Sequence, residues 1–286
     1  MNIKEYLIEK SLSIIVLFLV ILVFLLIVFM LIEAIPAFYD VGFLNFVLGS
    51  NWIPDNGEFG ILPMILGSLY ITSIALLISI PLSISCAIFL EEIAPNTLKN
   101  IFKPVIQMLA GIPSVIYGFF GLTLIVPIIR NNLGGNGFSI LAAAIVLSFM
   151  ILPTITSLTQ DAIKSVPNYY KEASFGLGST QWQCIKRVIL PIAMPGIGTA
   201  VILGMGRAIG ETLAVLMLAG NISNIPTSVI DPIRTLTSNI ALEMGYATGI
   251  HYNALFATAV ILFVVIVFLM IVSVYIQNRY AVKEVI

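Results

Sequence analysis

Two charged residues within an apolar segment, Arg207 and Glu211, are the strongest candidates for chemistry in this sequence. Because they are four residues apart, a helix would place both on one face about one turn from each other, which predicts an ion pair. Either charge at the centre of a membrane costs about 2.5–3.5 kcal/mol on insertion scales, so we expect polar surroundings for both. The alternative is a salt bridge that only fixes helix packing.

The chemistry that such a pair would support is the binding of an oxyanion. A guanidinium offers a planar fork of donors that suits phosphate or carboxylate, so Arg207 is the recognition candidate. The Glu211 carboxylate would orient the arginine and accept a hydrogen bond from an anion that carries its own proton. Near neutral pH phosphate is protonated and sulfate is not, so this acceptor favours phosphate. Thr212 would add a hydroxyl, unless that hydroxyl bonds its own backbone.

The composition requires a membrane around the elements that hold these residues. Of the 286 residues, 59% are apolar and 9% are charged, whereas soluble domains have about 25% charged residues. Several runs with few or no charges exceed the length of about 20 helical residues that a bilayer core needs. These runs are Ser11–Ile32, Phe59–Leu90, Pro104–Ile129, Phe138–Gln160, Ile192–Gly220 and Tyr252–Asn278. We therefore predict an all-α, polytopic membrane protein with six transmembrane helices.

The basic residues predict which ends of the helices face the cytoplasm. Arg130 and Arg234 fall on one side of the predicted membrane. The larger group on the other side is Lys4, Lys10, Lys99, Lys103, Lys164, Lys171, Lys186, Arg187, Arg279 and Lys283. The positive-inside rule then places both termini in the cytoplasm. The first apolar run is longer than a signal-peptide core and shows no small-residue cleavage site, so we expect a retained anchor that faces lipid.

The interiors of the second, third and fifth runs are rich in glycine and proline. Small residues let helix backbones approach closely, and kinks open non-helical backbone toward a cavity. Gly118 and Gly204 are candidates for close approach of helix backbones, and Pro113 is a candidate for a kink.

Other function classes have little support in the sequence. A net charge of −1 without a basic stripe predicts no nucleic-acid binding. Cys86 and Cys184 match neither a disulfide nor a clustered metal site, so we expect packing residues and no bound metal. We expect no catalytic residue, because the single histidine, His251, lies in a predicted outer loop without partners. A phosphate loop for ATP hydrolysis is missing, so energy would come from another chain or from an ion gradient, as in a secondary transporter.

The polar stretch from about residue 161 to 191 separates two apolar runs and predicts a docking element. We expect a helix over Tyr169–Leu177 that ends at Gly178, and a second short helix after Ser179. Apolar anchors for a soluble partner would be Tyr169, Tyr170, Phe175 and Trp182. The alternative is an amphipathic hairpin that lies on the bilayer surface.

This stretch resembles the EAA loop of ATP-binding-cassette importer permeases, whose pattern is Glu-Ala-Ala, three residues, Gly, nine residues, Ile, one residue and Leu-Pro. Here the matching residues are Glu172-Ala173-Ser174, Gly178, Val188 and Leu190-Pro191, and Ser174 and Val188 are conservative departures. Three more stretches resemble the PstC type of phosphate permease within that superfamily. They are Ala110–Gly118, Gly206–Val215 and the outer run Leu236–Gly245.

The resemblance covers the chain from about Gly60 onward and implies a type I importer permease fold (MetI-like) in the plasma membrane. It implies a second permease of the PstA type, two copies of a PstB-type ATPase and an external phosphate-binding protein of the PstS type. ATP and Mg²⁺ would be bound by the ATPase and no cofactor by this chain. We divide the chain into an anchor region, 1–58, and a permease core, 59–280.

The resemblance also assigns roles to residues of this sequence. Arg207 and Glu211 would serve substrate passage, with Thr212 beside them. The residues of the ATPase-coupling loop would be Glu172, Ala173, Gly178, Leu190 and Pro191. A permease for another oxyanion, or a transporter driven by an ion gradient, is the alternative function.

Overall fold

Helices form almost all of the structure. The computed structural model describes residues 3–281, with side chains described over 9–277. Within these residues, six segments are long and apolar enough to cross a membrane, and we number them span one to span six in chain order. They are Glu9–Leu48, Leu62–Ile93, Ser114–Leu133, Ile140–Lys164, Gln181–Ile209 and Ile250–Gln277. The prediction of six transmembrane helices is confirmed.

Several spans are built from more than one helical piece. The α-helices are α1 (Ile3–Ala37), α2 (Phe43–Leu48), α3 (Leu62–Ile88), α4 (Asn96–Ala110), α5 (Ser114–Phe120), α6 (Val126–Leu133), α7 (Ile140–Lys164), α8 (Asn168–Gly176), α9 (Gln181–Cys184), α10 (Leu190–Ile209), α11 (Leu213–Leu218), α12 (Leu236–Glu243) and α13 (Ile250–Ala281). Turns of π-helix occur at Phe38–Gly42, Phe89–Ile93, Gly121–Ile125 and Ile185–Ile189. A short antiparallel hairpin pairs β1 (Trp52–Ile53) with β2 (Glu58–Phe59).

Span three begins later than the charge-free run Pro104–Ile129 predicts. The first part of that run belongs to α4, an amphipathic helix that packs Ile106 against Leu90 near the end of span two. The helix stops because Pro113 disfavours helical backbone at the residue before it, and α5 starts directly after that proline. Hydropathy therefore predicted one continuous helix where the structure has two, α4 and α5.

Span five is displaced toward the N-terminus relative to the predicted run Ile192–Gly220. Its helix begins at Gln181 and ends at Ile209, so Leu190 and Pro191 lie inside a helix and not in the loop. Pro191 has no N–H to donate, and the π-helical turn before it, in which Leu190 N–H bonds to Ile185, lets the helix continue into the proline.

The centre of the molecule is a three-helix contact among α3, α7 and α10. The largest hydrophobic cluster lies along these helices and includes Ile71, Leu147, Ile151 and Ala200. Close approach depends on glycine: a Cβ at Gly204 would lie 2.5 Å from Cγ1 of Ile155 on α7. The predicted role of small residues in packing is therefore confirmed at this position.

Span one lies at the periphery, as predicted. Its large apolar side chains between Leu12 and Leu26 are all at least 45% exposed within the chain. Beyond it, the hairpin turns at Gly57, whose φ of 74° favours glycine, and the predicted Asn56-Gly57 turn is confirmed. Trp52 and Phe59 of the hairpin join a buried cluster with Leu236 and Leu255, so the hairpin packs on the segments that hold these residues.

Candidate functional site

Arg207 lies near the end of α10 and reaches across to span four. Its Nη1 donates a hydrogen bond to Thr154 Oγ1 at 3.0 Å. Thr154 is near the middle of α7, so the guanidinium is held beside the middle of span four, and its charge interacts with Tyr117 of α5. Arg207 is half-buried, which leaves part of the charge on the surface of this chain.

Glu211 does not form the predicted ion pair with Arg207. Among the described residues the salt bridges are Lys171–Glu92, Arg234–Glu243 and His251–Glu243. The helix ends at Ile209, so the four-residue spacing no longer places the two side chains on one face. Glu211 Oε1 instead accepts a hydrogen bond from Ala214 N at 3.1 Å, because a carboxylate at the start of a helix satisfies a backbone N–H that has no helical partner.

Thr212 also lies outside the helix. Its Oγ1 donates to the carbonyl of Gly210 at 3.3 Å, which is the local backbone bond that threonine often makes. The carbonyl of Glu211 accepts a hydrogen bond from Thr237 Oγ1 at 3.0 Å, so the break at residues 210–212 is tied to the outer helix α12.

Two helix breaks precede the short helices α5 and α11, and the second of them follows Arg207 by three residues in the chain. The first is the Gly111–Pro113 segment before α5, and the second is the Gly210–Thr212 segment before α11. Helices α5 and α11 pack against each other, with a Cβ at Gly118 only 3.1 Å from Ala214 Cα. Paired breaks next to a membrane-embedded charge are typical of transport sites, because non-helical backbone is tolerated where it lines a cavity.

The predicted helices of the coupling loop are confirmed. Helix α8 covers Asn168–Gly176, and Gly178, at φ 81°, turns the chain in a conformation that favours glycine. Thr180 then caps α9 through a capping box with Gln183. Ser174, a departure from the EAA pattern, places its Oγ 2.5 Å from Ser179 Oγ and thereby closes the turn.

The surface of this loop is open to a partner. Glu172 and Ala173 are exposed, and the Glu172 side chain forms no hydrogen bond or salt bridge with any described residue. Leu177 is 90% exposed, and the apolar anchors are exposed with it. A cleft of about 490 Å³ lies beside them and is lined by Tyr170, Ala173, Ser174, Leu177, Gly178, Ser179, Gln183, Arg187 and Val188. A side-chain hydrogen bond that the Tyr169 hydroxyl makes to Tyr170 favours the protonated form and raises the pKa of Tyr169.

A polar cluster on the outer side escaped sequence reasoning. The buried Glu243 carboxylate accepts hydrogen bonds from Trp52 Nε1 at 2.8 Å and Arg234 Nη1 at 2.6 Å, and it pairs with His251 Nε2 at 2.8 Å. The expectation of a histidine without partners is therefore wrong. Trp52 and His251 are 199 positions apart in the sequence (251 minus 52), so no local sequence pattern predicts that they share a partner.

A second carboxylate lies in an exposed turn formed by residues 227–231, on the same side of the molecule. Asp231 Oδ2 accepts hydrogen bonds from Thr227 N and Ser228 N, each at 2.8 Å. These bonds, and one from the Thr227 hydroxyl, favour the ionised carboxylate and hold the pKa of Asp231 below its usual range.

Comparison with known proteins identifies the family. Residues 79–283 match the family model for the binding-protein-dependent transport system inner membrane component. The chain belongs to this family. It is similar to the probable ABC transporter permease protein YqgH of Bacillus subtilis, with 45% identity over 241 residues, 82% of this chain and 78% of that protein. It is also similar to the phosphate transport system permease protein PstC of Haemophilus influenzae, with 37% identity over 249 residues, 80% of this chain and 79% of that protein.

Solved structures of ABC transporters show the same fold. A bacterial ABC transporter that imports the acidic polysaccharide alginate matches with a TM-score of 0.69 at 17% identity, over 96% of each chain. The inward-facing MetNI methionine ABC transporter matches with a TM-score of 0.58 at 20% identity, over 78% of this chain and 95% of that one. The predicted type I importer permease fold is confirmed, and the chain is a multi-pass inner-membrane permease subunit.

Proposed function

We propose that this chain is the transmembrane permease subunit of an ATP-driven phosphate importer. The observation that carries the proposal is a half-buried Arg207 near the end of α10, bonded to Thr154 in the middle of span four, on a surface that this chain leaves open. The similarity to phosphate transport system permease proteins from several organisms supports phosphate as the substrate.

The cost of an exposed charge in lipid indicates what completes the site. A guanidinium facing hydrocarbon costs about 2.5–3.5 kcal/mol on insertion scales, so the open side of Arg207 faces protein and a water-filled path. A second permease of the PstA type supplies that protein surface. Within the path, the forked donors of Arg207 bind the phosphate oxygens, and the hydrogen bond to Thr154 holds the guanidinium in place.

Glu211 contributes to the choice of anion. Its Oε1 is occupied by the Ala214 amide, and its Oε2 has no hydrogen-bond partner among the described residues. A protonated phosphate donates to such a free acceptor, whereas sulfate has no proton to donate and meets only repulsion. Thr212 bonds its own backbone here and has a secondary role beside the path.

Energy enters through the exposed coupling loop. Glu172, Ala173 and Gly178 dock into a PstB-type ATPase, of which two copies bind and hydrolyse ATP with Mg²⁺, while Leu190 and Pro191 lie within span five, which continues from the loop. ATP binding brings the two ATPase copies together and converts the permease pair to an outward-facing state, and hydrolysis resets it. A PstS-type protein delivers phosphate from outside, both termini are cytoplasmic, and this chain binds no cofactor and changes no covalent bond.

The decisive experiment measures phosphate uptake by the four-component complex in proteoliposomes. Arg207→Ala removes the donor fork, and we expect uptake to fall by about tenfold or more while the complex assembles normally. Arg130→Ala is the matched control, because Arg130 lies at the outer end of span three and its side chain bonds, among the residues that the structure describes, only the carbonyl of Asn136. Undiminished uptake by Arg207→Ala, or uptake driven by an ion gradient without the ATPase, would contradict the proposal.

A further inference from the structure

Both short helices of the coupling loop bond to the end of span two at Glu92. Lys171 of α8 donates from Nζ to Glu92 Oε1 at 2.6 Å. Gln181, the first residue of α9, donates from Nε2 to the backbone carbonyl of Glu92 at 2.6 Å. One residue of span two therefore receives a hydrogen bond from each side of the Gly178 turn.

The local backbone explains why Glu92 is available to the loop. The π-helical turn Phe89–Ile93 ends span two, and Ala94 is extended, so the carbonyl of Glu92 has no later helical N–H to bind. Gln181 supplies the missing donor. The Glu92 side chain is 11% exposed and that of Lys171 is 23% exposed, so this charge-assisted bond is better shielded from water than a surface ion pair.

The bond also lies where movement of the loop would enter the membrane domain. Lys171 immediately precedes Glu172, so displacement of α8 by a docked ATPase displaces the Lys171 ammonium with it. On the other side of the bond, span two contacts span four, where Ser83 Oγ donates to the Leu152 carbonyl at 3.2 Å. Leu152 is two residues from Thr154, which holds Arg207.

Span two also reaches the outer side of the molecule. Ser68 Oγ accepts a hydrogen bond from Leu236 N, at the start of α12, at 3.0 Å. The helix is thus bonded to the coupling loop at one end, to the helix that positions Arg207 in its middle, and to the outer segment at its other end.

We propose that Glu92 is a positioning residue through which movement of the coupling loop is transmitted to span two. The inference rests on the proposed function, because it assumes that the loop is moved by an ATPase. Without the Glu92–Lys171 bond, the ATPase still binds and turns over, but the loop moves without carrying span two, so ATP is hydrolysed with little transport.

The test measures ATP hydrolysis and uptake of inorganic phosphate together in the reconstituted four-component complex. Glu92→Gln keeps the shape of the side chain and the backbone carbonyl but removes the charge that pairs with the Lys171 ammonium and so weakens the bond, and we expect the ATP hydrolysed per phosphate transported to rise about tenfold. The charge-exchanged pair Glu92→Lys with Lys171→Glu is expected to return that ratio to within about twofold of the unaltered complex. The matched control is Glu91→Gln, because the Glu91 side chain forms no salt bridge with a described residue and only its carbonyl accepts a bond, from Lys99.

Three results would overturn the inference. The first is an unchanged ratio of ATP hydrolysed to phosphate transported in Glu92→Gln. The second is a parallel loss of hydrolysis and uptake, because a merely structural residue would give that result. The third is a charge-exchanged pair whose ratio is no better than that of Glu92→Lys alone. If Glu92→Gln complexes do not assemble, Lys171→Met breaks the same bond at its more exposed end and is judged by the same ratio.

A second readout separates this inference from the identity of the substrate. In the assembled complex, a non-hydrolysable ATP analogue is expected to change amide hydrogen exchange over residues 62–93, and Glu92→Gln is expected to abolish that change. Persistence of the change would overturn the inference. Absence of phosphate uptake by the unaltered complex would instead refute the proposed function and leave this exchange result valid.

Discussion

At the residue scale, the two oxygens of Glu211 have different surroundings. Oε1 accepts a hydrogen bond from the Ala214 amide in the first turn of α11, and Oε2 has no hydrogen-bond partner among the described residues. A sequence spacing of four favours an ion pair only while the helix continues, and here it ends before Glu211. Arg207 and Glu211 could be singled out from the sequence because a charge in an apolar span is costly. Thr154, which bonds Arg207, could not be predicted, because it lies on another span.

Glu211→Gln separates these two functions. The amide keeps an oxygen for Ala214 N but loses the charge, so we expect phosphate uptake to continue and discrimination against sulfate to fall by about tenfold. Competition of sulfate with labelled phosphate in proteoliposomes measures this. Glu58→Gln, at an exposed carboxylate on the outer hairpin, serves as the control, and unchanged selectivity in Glu211→Gln would remove the protonated-ligand argument.

At the element scale, hydropathy found every span but not the true ends of spans three and five. The charge-free runs could not reveal that Pro113 separates α4 from α5, since both sides of the break are apolar. The start of span five was hidden for the opposite reason. Its first turns, from Gln181, are polar because they project beyond the bilayer, so composition assigned them to a loop.

Helix packing at this scale can be tested with a pair of identical substitutions. Gly204→Ala places a Cβ 2.5 Å from Ile155, and we expect overpacking to cost about 1–3 kcal/mol and lower the Tm of the complex in detergent. Gly176→Ala meets no atom within 4 Å and is expected to leave Tm unchanged or slightly higher. Equal Tm values for the two variants would show that spans four and five are not in close contact at Gly204.

At the scale of the whole molecule, the all-α class and the six spans were accessible to the sequence because both follow from the hydrophobic pattern, whereas the type I importer permease fold was predicted from the resemblance of separate motifs to known permeases. The coupling loop was accessible through its helix-ending glycine and its exposed anchors, and α8 and α9 lie where they were predicted. Contacts between distant segments were not accessible. Glu92 with Lys171, and Glu243 with Trp52 and His251, depend on tertiary packing that no local spacing encodes.

Coupling between the loop and transport can be tested with a matched pair of strained glycines. Gly178 and Gly134 both have positive φ, at 81° and 88°, and neither has an atom within 4 Å of an added Cβ. Valine at either site meets a positive φ that L residues rarely adopt, but only Gly178 lies in the coupling loop. We expect Gly178→Val to lower uptake relative to ATP hydrolysis and Gly134→Val to preserve their ratio. Equal ratios in the two variants would contradict the docking assignment.

The Glu243 cluster joins three segments that are distant in the chain. Trp52 follows span one, Arg234 follows α11, and His251 is near the start of α13, yet all three bind one carboxylate. Because a displacement of any one segment would break a buried bond of Glu243, we expect the three segments to move together as one unit.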